Sequence, residues 1–168
     1  MLHVGDHKEL QAVVLAMKAA DRDLKRDINK ATRDTMNPVW KSLVQANASR
    51  ALDGRVIVPG TRIAGGNPPA AVAASSRRRL SGGMVPAEWW HAVEFGGNQN
   101  KVTTYSRRSP KGKRHRVKRH TARQLPRRDP NGRVAYPAFA ELGPRMASLW
   151  AQIVVKKYLD AAEAAGKG

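Results

Sequence analysis

The sequence predicts an α+β fold, with a long N-terminal helix and a C-terminal helix packed on a small antiparallel sheet, and a long basic hairpin or loop inserted late in the chain. Three observations predict it. Apolar residues recur at three- and four-residue steps at both ends, the spacing of a helix face. Short runs bounded by Gly and Pro fill the middle, one of them alternating as a half-buried strand does. The charge is concentrated: residues 101–133 hold 13 of the 31 Lys and Arg but one of the 13 acids, Asp129. That stretch carries +12 of the net +18, which leaves the rest of the chain a modest +6.

A chain of 168 residues reads as one domain, 1–168, able to bury roughly 70% of its extended surface. Apolar residues make up 41% and charged residues 26%, which suits a packed core. The basic excess argues against an ordinary neutral metabolic enzyme and for a polyanionic partner, either nucleic acid or an acidic protein surface. The absence of cysteine excludes a disulfide scaffold, a Cys-ligated zinc finger and a thiol nucleophile. Residues 1–6 lack the charged-then-apolar pattern of a secretory signal, and no apolar run approaches the ~18 residues of a membrane span. The expectation is a soluble protein made in the cytoplasm, with no membrane contact.

The first element reads as a helix from Asp6, which stands three residues before Glu9 as in a capping box. Leu10, Val13, Val14, Met17, Leu24, Ile28 and Ala31 form its apolar stripe. Asn37-Pro38 predicts a break, with a second helix running to about Leu52. Arg55 to Pro59 is β-like, Gly65 to Pro69 is a turn cluster, and Ala70 to Ala74 suits a small-residue strand. Ser75 to Pro86, with Arg77, Arg78 and Arg79, reads as a loop. Ala87 to Phe95 gives the strongest strand signal, with Trp89, His91, Val93 and Phe95 on one face and Trp90, Ala92 and Glu94 on the other. Val102 to Tyr105 and Arg133 to Tyr136 suit strands at the two ends of the basic arm, which would make it a long hairpin. From about Pro144 to Ala165 a broad apolar face, including Met146, Leu149, Trp150, Ile153, Val154, Tyr158 and Leu159, predicts the last helix.

Catalytic patterns are scarce. Gly60 to Asn67 starts like a phosphate-binding loop, but Gly66 and Asn67 stand where Lys and Ser or Thr must reach the phosphates and magnesium. His3 and His7 are spaced as two ligands on a helix but lack a third, and His115 and His120 lie in a positive field that repels a cation. His91 reads as a partly buried structural histidine. Glu94, in an apolar run, needs a partner to be buried. The expected partner is an arginine, across a subunit boundary or within the chain. The expectation is therefore no enzyme, no metal and no cofactor.

The arm is the informative feature. Arg107, Arg108, Lys111, Lys113, Arg114, Arg116, Lys118, Arg119, Arg123, Arg127 and Arg128 are the candidate contacts to DNA or another anionic partner. Each cation that neutralises a phosphate releases a counterion, so binding through such an arm is salt-sensitive and blind to sequence. Only Tyr105 offers an aromatic face nearby, which argues against base stacking on a single strand. Structural and interface roles fall to Trp89, Trp90, Glu94, Phe95, Tyr136, Phe139 and Trp150.

Two motifs flank the arm, Trp90-His-Ala-Val-Glu-Phe-Gly96 and Tyr136-Pro-Ala-Phe-Ala140, the second leading into the C-terminal helix. With the charged amphipathic helix before them, residues 6–97 and 134–165 resemble the small neck, or tail-completion, proteins of long non-contractile-tailed bacteriophages. The family pattern includes an aromatic strand with a valine-glutamate-phenylalanine-glycine core, then a proline–aromatic motif. The long 101–133 insertion departs from it. The resemblance implies a virion component that forms a ring of six, stacks between the head connector or stopper and the tail terminator or tail tube, and lets DNA pass. A small sheet with open edges gains by closing into such a cyclic assembly. Repeated around the ring, the arms would face either packaged DNA or an acidic face of the next ring.

Overall fold

The computed structural model describes residues 22–119 and 125–166. The Asp6–Glu9 capping box, the stripe from Leu10 to Met17, His3, His7, His120 and Arg123 lie outside them. The fold is α+β, with four helices and two separate two-stranded antiparallel sheets among the described residues. Helix α1 spans Arg22–Asn47 and α2 Ala51–Val56; β1 (Arg62–Ala64) and β2 (Ala70–Val72) follow. Helix α3 is Pro86–Phe95, the hairpin strands are β3 (Thr103–Arg108) and β4 (Arg114–Arg119), and α4 is Ala135–Gly166.

Helix α1 buries Leu24, Ile28, Thr32, Met36, Trp40 and Val44, one residue every four, a single stripe turned to the core. No break occurs at Asn37-Pro38, because the helix carries Pro38 inside it. An internal proline costs about 3 kcal/mol. Continuing the helix keeps Trp40 and Val44 in register with Met36, and a buried tryptophan alone is worth roughly that much. Asn37 also fastens the next element, since its Oδ1 accepts from the Ile63 N–H at 2.9 Å and pins β1 to the helix.

Helix α4 packs antiparallel to α1. Trp40 meets Phe139 edge-on at 6.4 Å, Trp150 Nε1 donates to Thr32 Oγ1 at 2.7 Å, and Lys157 Nζ reaches Asp27 at 3.3 Å. Thr32 donates its own proton to the Ile28 carbonyl at 2.6 Å, so this buried hydroxyl and indole are both satisfied. The Trp40 indole donates to the Val72 carbonyl at 2.9 Å, which ties the β1–β2 pair to the same core. That pair is registered Arg62↔Val72, Ile63↔Ala71 and Ala64↔Ala70, with Ile63 buried.

Further expectations are corrected. Ala87 to Phe95 is a helix, not a strand. Pro86 takes its first position after the extended Val85, and Gly96 ends it at φ 69°. Its apolar run fits a period of two, but Trp90, Val93 and Glu94 also stand at helical steps, and a run this short is ambiguous. Arg55 to Pro59 is the end of α2 and a turn rather than a β run. Arg133 to Tyr136 is no strand but the entry to α4, which starts at Ala135, nine residues before Pro144. The small sheet is accordingly two strand pairs, and α1 and α4 form the main core layer.

A basic hairpin and the joint that carries it

The arm folds back on itself within its own sequence. Strands β3 and β4 pair antiparallel from Thr103↔Arg119 to Arg108↔Arg114. The turn between them is specified locally. Pro110 presets the first corner, the Ser109 carbonyl accepts from Gly112 N–H at 2.9 Å, and Gly112 takes φ 78°, which glycine adopts without strain. The Ser109 N–H then donates to the Lys113 carbonyl at 2.9 Å and closes the loop. The expected hairpin had its second strand at Arg133 to Tyr136, well beyond Pro110 and Gly112. The structure makes those two residues the turn itself.

The register sorts the side chains into two faces, since directly paired residues point the same way. One face holds Arg108, Arg114, Arg116 and Lys118 with Thr104 and Ser106. The other holds Arg107, His115 and Arg119 around the Tyr105↔Val117 pair. Every strand residue is exposed except Val117, which is half-buried. Among the described residues, none of the hairpin's Arg or Lys side chains is paired with a carboxylate, the ion pairs lying on α1 and α4. Arg108 directly opposes Arg114, a juxtaposition that destabilises a ladder, and a lone two-stranded hairpin is marginal to begin with. An anion laid along this face removes the repulsion. Lys111 and Lys113 add charge at the tip.

Arg127 and Arg128 do not extend the hairpin. They sit exposed on the return segment and line an open depression of about 840 Å³ with Gly97, Asn98, Gln99, Asn100 and Pro130 at the hairpin base. Asp129, the arm's acid, serves the turn there: its Oδ1 accepts from Asn131 N–H at 3.0 Å.

The base is clamped by Glu94. This side chain is fully buried, and its Oε1 accepts from the N–H groups of Arg133, Val134 and Tyr136 at 3.0, 3.1 and 3.0 Å. Its Oε2 accepts from Ala135 N–H at 3.1 Å. The carboxylate thus occupies the N-terminus of α4, where unpaired N–H groups and the helix dipole favour a negative charge. The next residue, Pro137, has no N–H left to satisfy. The expected arginine partner for Glu94 is corrected: the positive partner is a helix end, reached by residues about forty apart in the chain. Phe95 stacks edge-on to Tyr136 at 5.1 Å and Trp90 packs by Phe95 at 6.3 Å. Gly97 N–H donates to the Pro126 carbonyl and Asp129 N–H to the Phe95 carbonyl, both at 2.9 Å, so the two feet of the hairpin are stitched together.

Two glycines make this closeness possible. A Cβ on Gly96 would stand 2.5 Å from the carbonyl oxygens of Pro126 and Arg127, and one on Gly132 would stand 2.7 Å from Glu94 Oε1. Both have positive φ as well, 69° and 75°. These roles are not legible in the sequence. Of the other expected structural residues, Phe139 and Trp150 are buried in the core and Trp90, Phe95 and Tyr136 are half-buried. Trp89 lies outside the core, 50% exposed. His91 is also exposed rather than partly buried.

Among the described residues, no group of three or more His, Asp or Glu side chains is placed to hold a metal ion, and no helix is long and apolar enough to cross a membrane. Comparison with protein-family models, with curated proteins and with solved structures gives no match for this chain.

Proposed function

We propose that this protein is a non-catalytic structural subunit of a phage neck, a tail-completion protein. In this reading copies of the chain close into a ring of six between the head connector or stopper and the tail terminator or tube, in the virion. Each copy presents its basic hairpin to the DNA that passes along the axis. The observation that carries the reading is the joint: the motifs of the family resemblance, Trp90 to Gly96 and Tyr136 to Ala140, meet through Glu94 and the Phe95–Tyr136 contact. They form one unit, and the hairpin is an outgrowth from it. Contacts through such a hairpin are electrostatic and sequence-blind, which lets DNA slide past.

A second reading keeps the hairpin and omits the ring: a nucleic-acid-binding protein that grips phosphate backbones. The exposure of four cations on one hairpin face favours it. Replacing residues 103–119 with a short Gly-Ser turn separates the two. The neck reading expects the variant to sediment as the same assembly as the intact protein. A monomeric intact protein whose only measurable activity disappears with the hairpin supports the second reading instead.

A further inference from the structure

The loop before α3 carries basic residues that the hairpin does not account for. Arg55, Arg78 and Arg79, with Ser76 and Ser81, line a second open depression of about 590 Å³. The loop is held in shape. Ser76 carbonyl accepts from Ala87 N–H at 3.0 Å, Leu80 N–H donates to the Met84 carbonyl at 2.8 Å, and Arg55 Nη2 donates to Ser81 Oγ at 2.8 Å. All three arginines are exposed, and among the described residues none is paired with a carboxylate. The exposed Glu88 lies on the first turn of α3 but does not line the depression. Three guanidinium groups with two hydroxyls suit a phosphate, which arginine holds through paired N–H donors.

The placement of this site gives it meaning. Pro86, the first residue of α3, lines it, while Gly97, just beyond the last residue of α3, lines the Arg127–Arg128 depression at the hairpin base. Ten residues of helix rise about 15 Å, less than half a turn of duplex DNA. Duplex DNA presents one charge per about 1.7 Å of axis, so a short segment has phosphates for both sites at once.

We infer that Arg55, Arg78 and Arg79 form a second phosphate-backbone site, which engages the same DNA duplex as the hairpin from the opposite end of α3. This rests on the hairpin's contact with DNA proposed above. The test is fluorescence anisotropy of a labelled duplex of about two helical turns with the full chain across a salt series. Four proteins are compared: the intact chain, R55Q/R78Q/R79Q, R78Q/R79Q, and R108Q/R114Q/R116Q/K118Q. Each lost phosphate contact lowers the slope of log K against log salt by about 0.9. The loop variant is expected to bind more weakly with a slope shallower by about 2 to 3, and the hairpin variant to lose a comparable or larger share. R78Q/R79Q breaks no described side-chain hydrogen bond, so it keeps the test valid if the triple variant folds poorly; its slope falls by about 2. Unchanged slope and affinity in both loop variants, beside loss in the hairpin variant, overturn the second site and leave the hairpin reading intact. No duplex binding by the intact chain, with binding to poly-glutamate instead, overturns both.

Discussion

Glu94 is buried without a cation, and four backbone N–H groups at the start of α4 satisfy its two oxygens. Hydrogen bonds to a charged group contribute about 1.5–3 kcal/mol each, and a buried donor left unpaired costs a similar amount. Glu94→Gln removes the charge and turns an amide N–H₂ toward donors, so it is expected to destabilise the fold by about 2–4 kcal/mol in denaturant unfolding. Gly132→Ala is expected to cost about 2 kcal/mol or more, from its positive φ and the contact its Cβ makes with Glu94. Wild-type stability in either variant would show that the clamp holds nothing. The sequence marks Glu94 as expensive to bury because it stands between Val93 and Phe95 in a largely apolar run. It does not name the partner, since the groups that hold Glu94 are backbone N–H donors and Arg133 to Tyr136 reads as a strand. Trp89 differs for a related reason: on a strand it shares a face with Phe95, whereas on α3 residues six apart lie on different sides, and Trp89 is half exposed. Trp150→Ala, which also removes the indole donor to Thr32, is therefore expected to cost about 3–5 kcal/mol, and Trp89→Ala under about 1 kcal/mol. Equal losses in thermal unfolding would contradict this placement.

At the scale of elements, legibility follows length. The long stripes of α1 and α4 show at helical steps over several turns, so both are readable, with errors only at their prolines. Pro38 and Pro144 sit inside helices because tertiary packing outweighs a local cost, which no local signal reports. The ten-residue α3 and three-residue β1 fall below the length at which periodicity discriminates. The basic arm stands out by charge alone. Its fold depends on the short turn around Pro110 and Gly112, a signal that the surrounding cations obscure. Since the hairpin's charged side chains are exposed, they can be altered without disturbing the core. Reversal of Arg114, Arg116, Lys118 and Arg119 to Glu is expected to leave the melting temperature of the body unchanged and to weaken binding to duplex DNA, measured by anisotropy at moderate salt. Unfolding of the body by these changes would make the hairpin part of the core.

At the scale of the molecule, the core lies between α1 and α4, with the β1–β2 pair and α3 closing one side. Residues 101–133 carry +12 and the rest of the chain +6, so most of the net charge lies in the hairpin, its base and its return segment. The proposed ring would gather the hairpins into one strongly positive zone. Crowding like charges this way costs energy that DNA or an acidic neighbour offsets, and the assembly is expected to tighten when short duplex DNA is added at low salt. The most direct measurement is electron-microscope imaging of the purified full-length protein, with and without duplex. The expected result is closed rings of six with a central opening wide enough for DNA; isolated single copies under both conditions contradict the proposal.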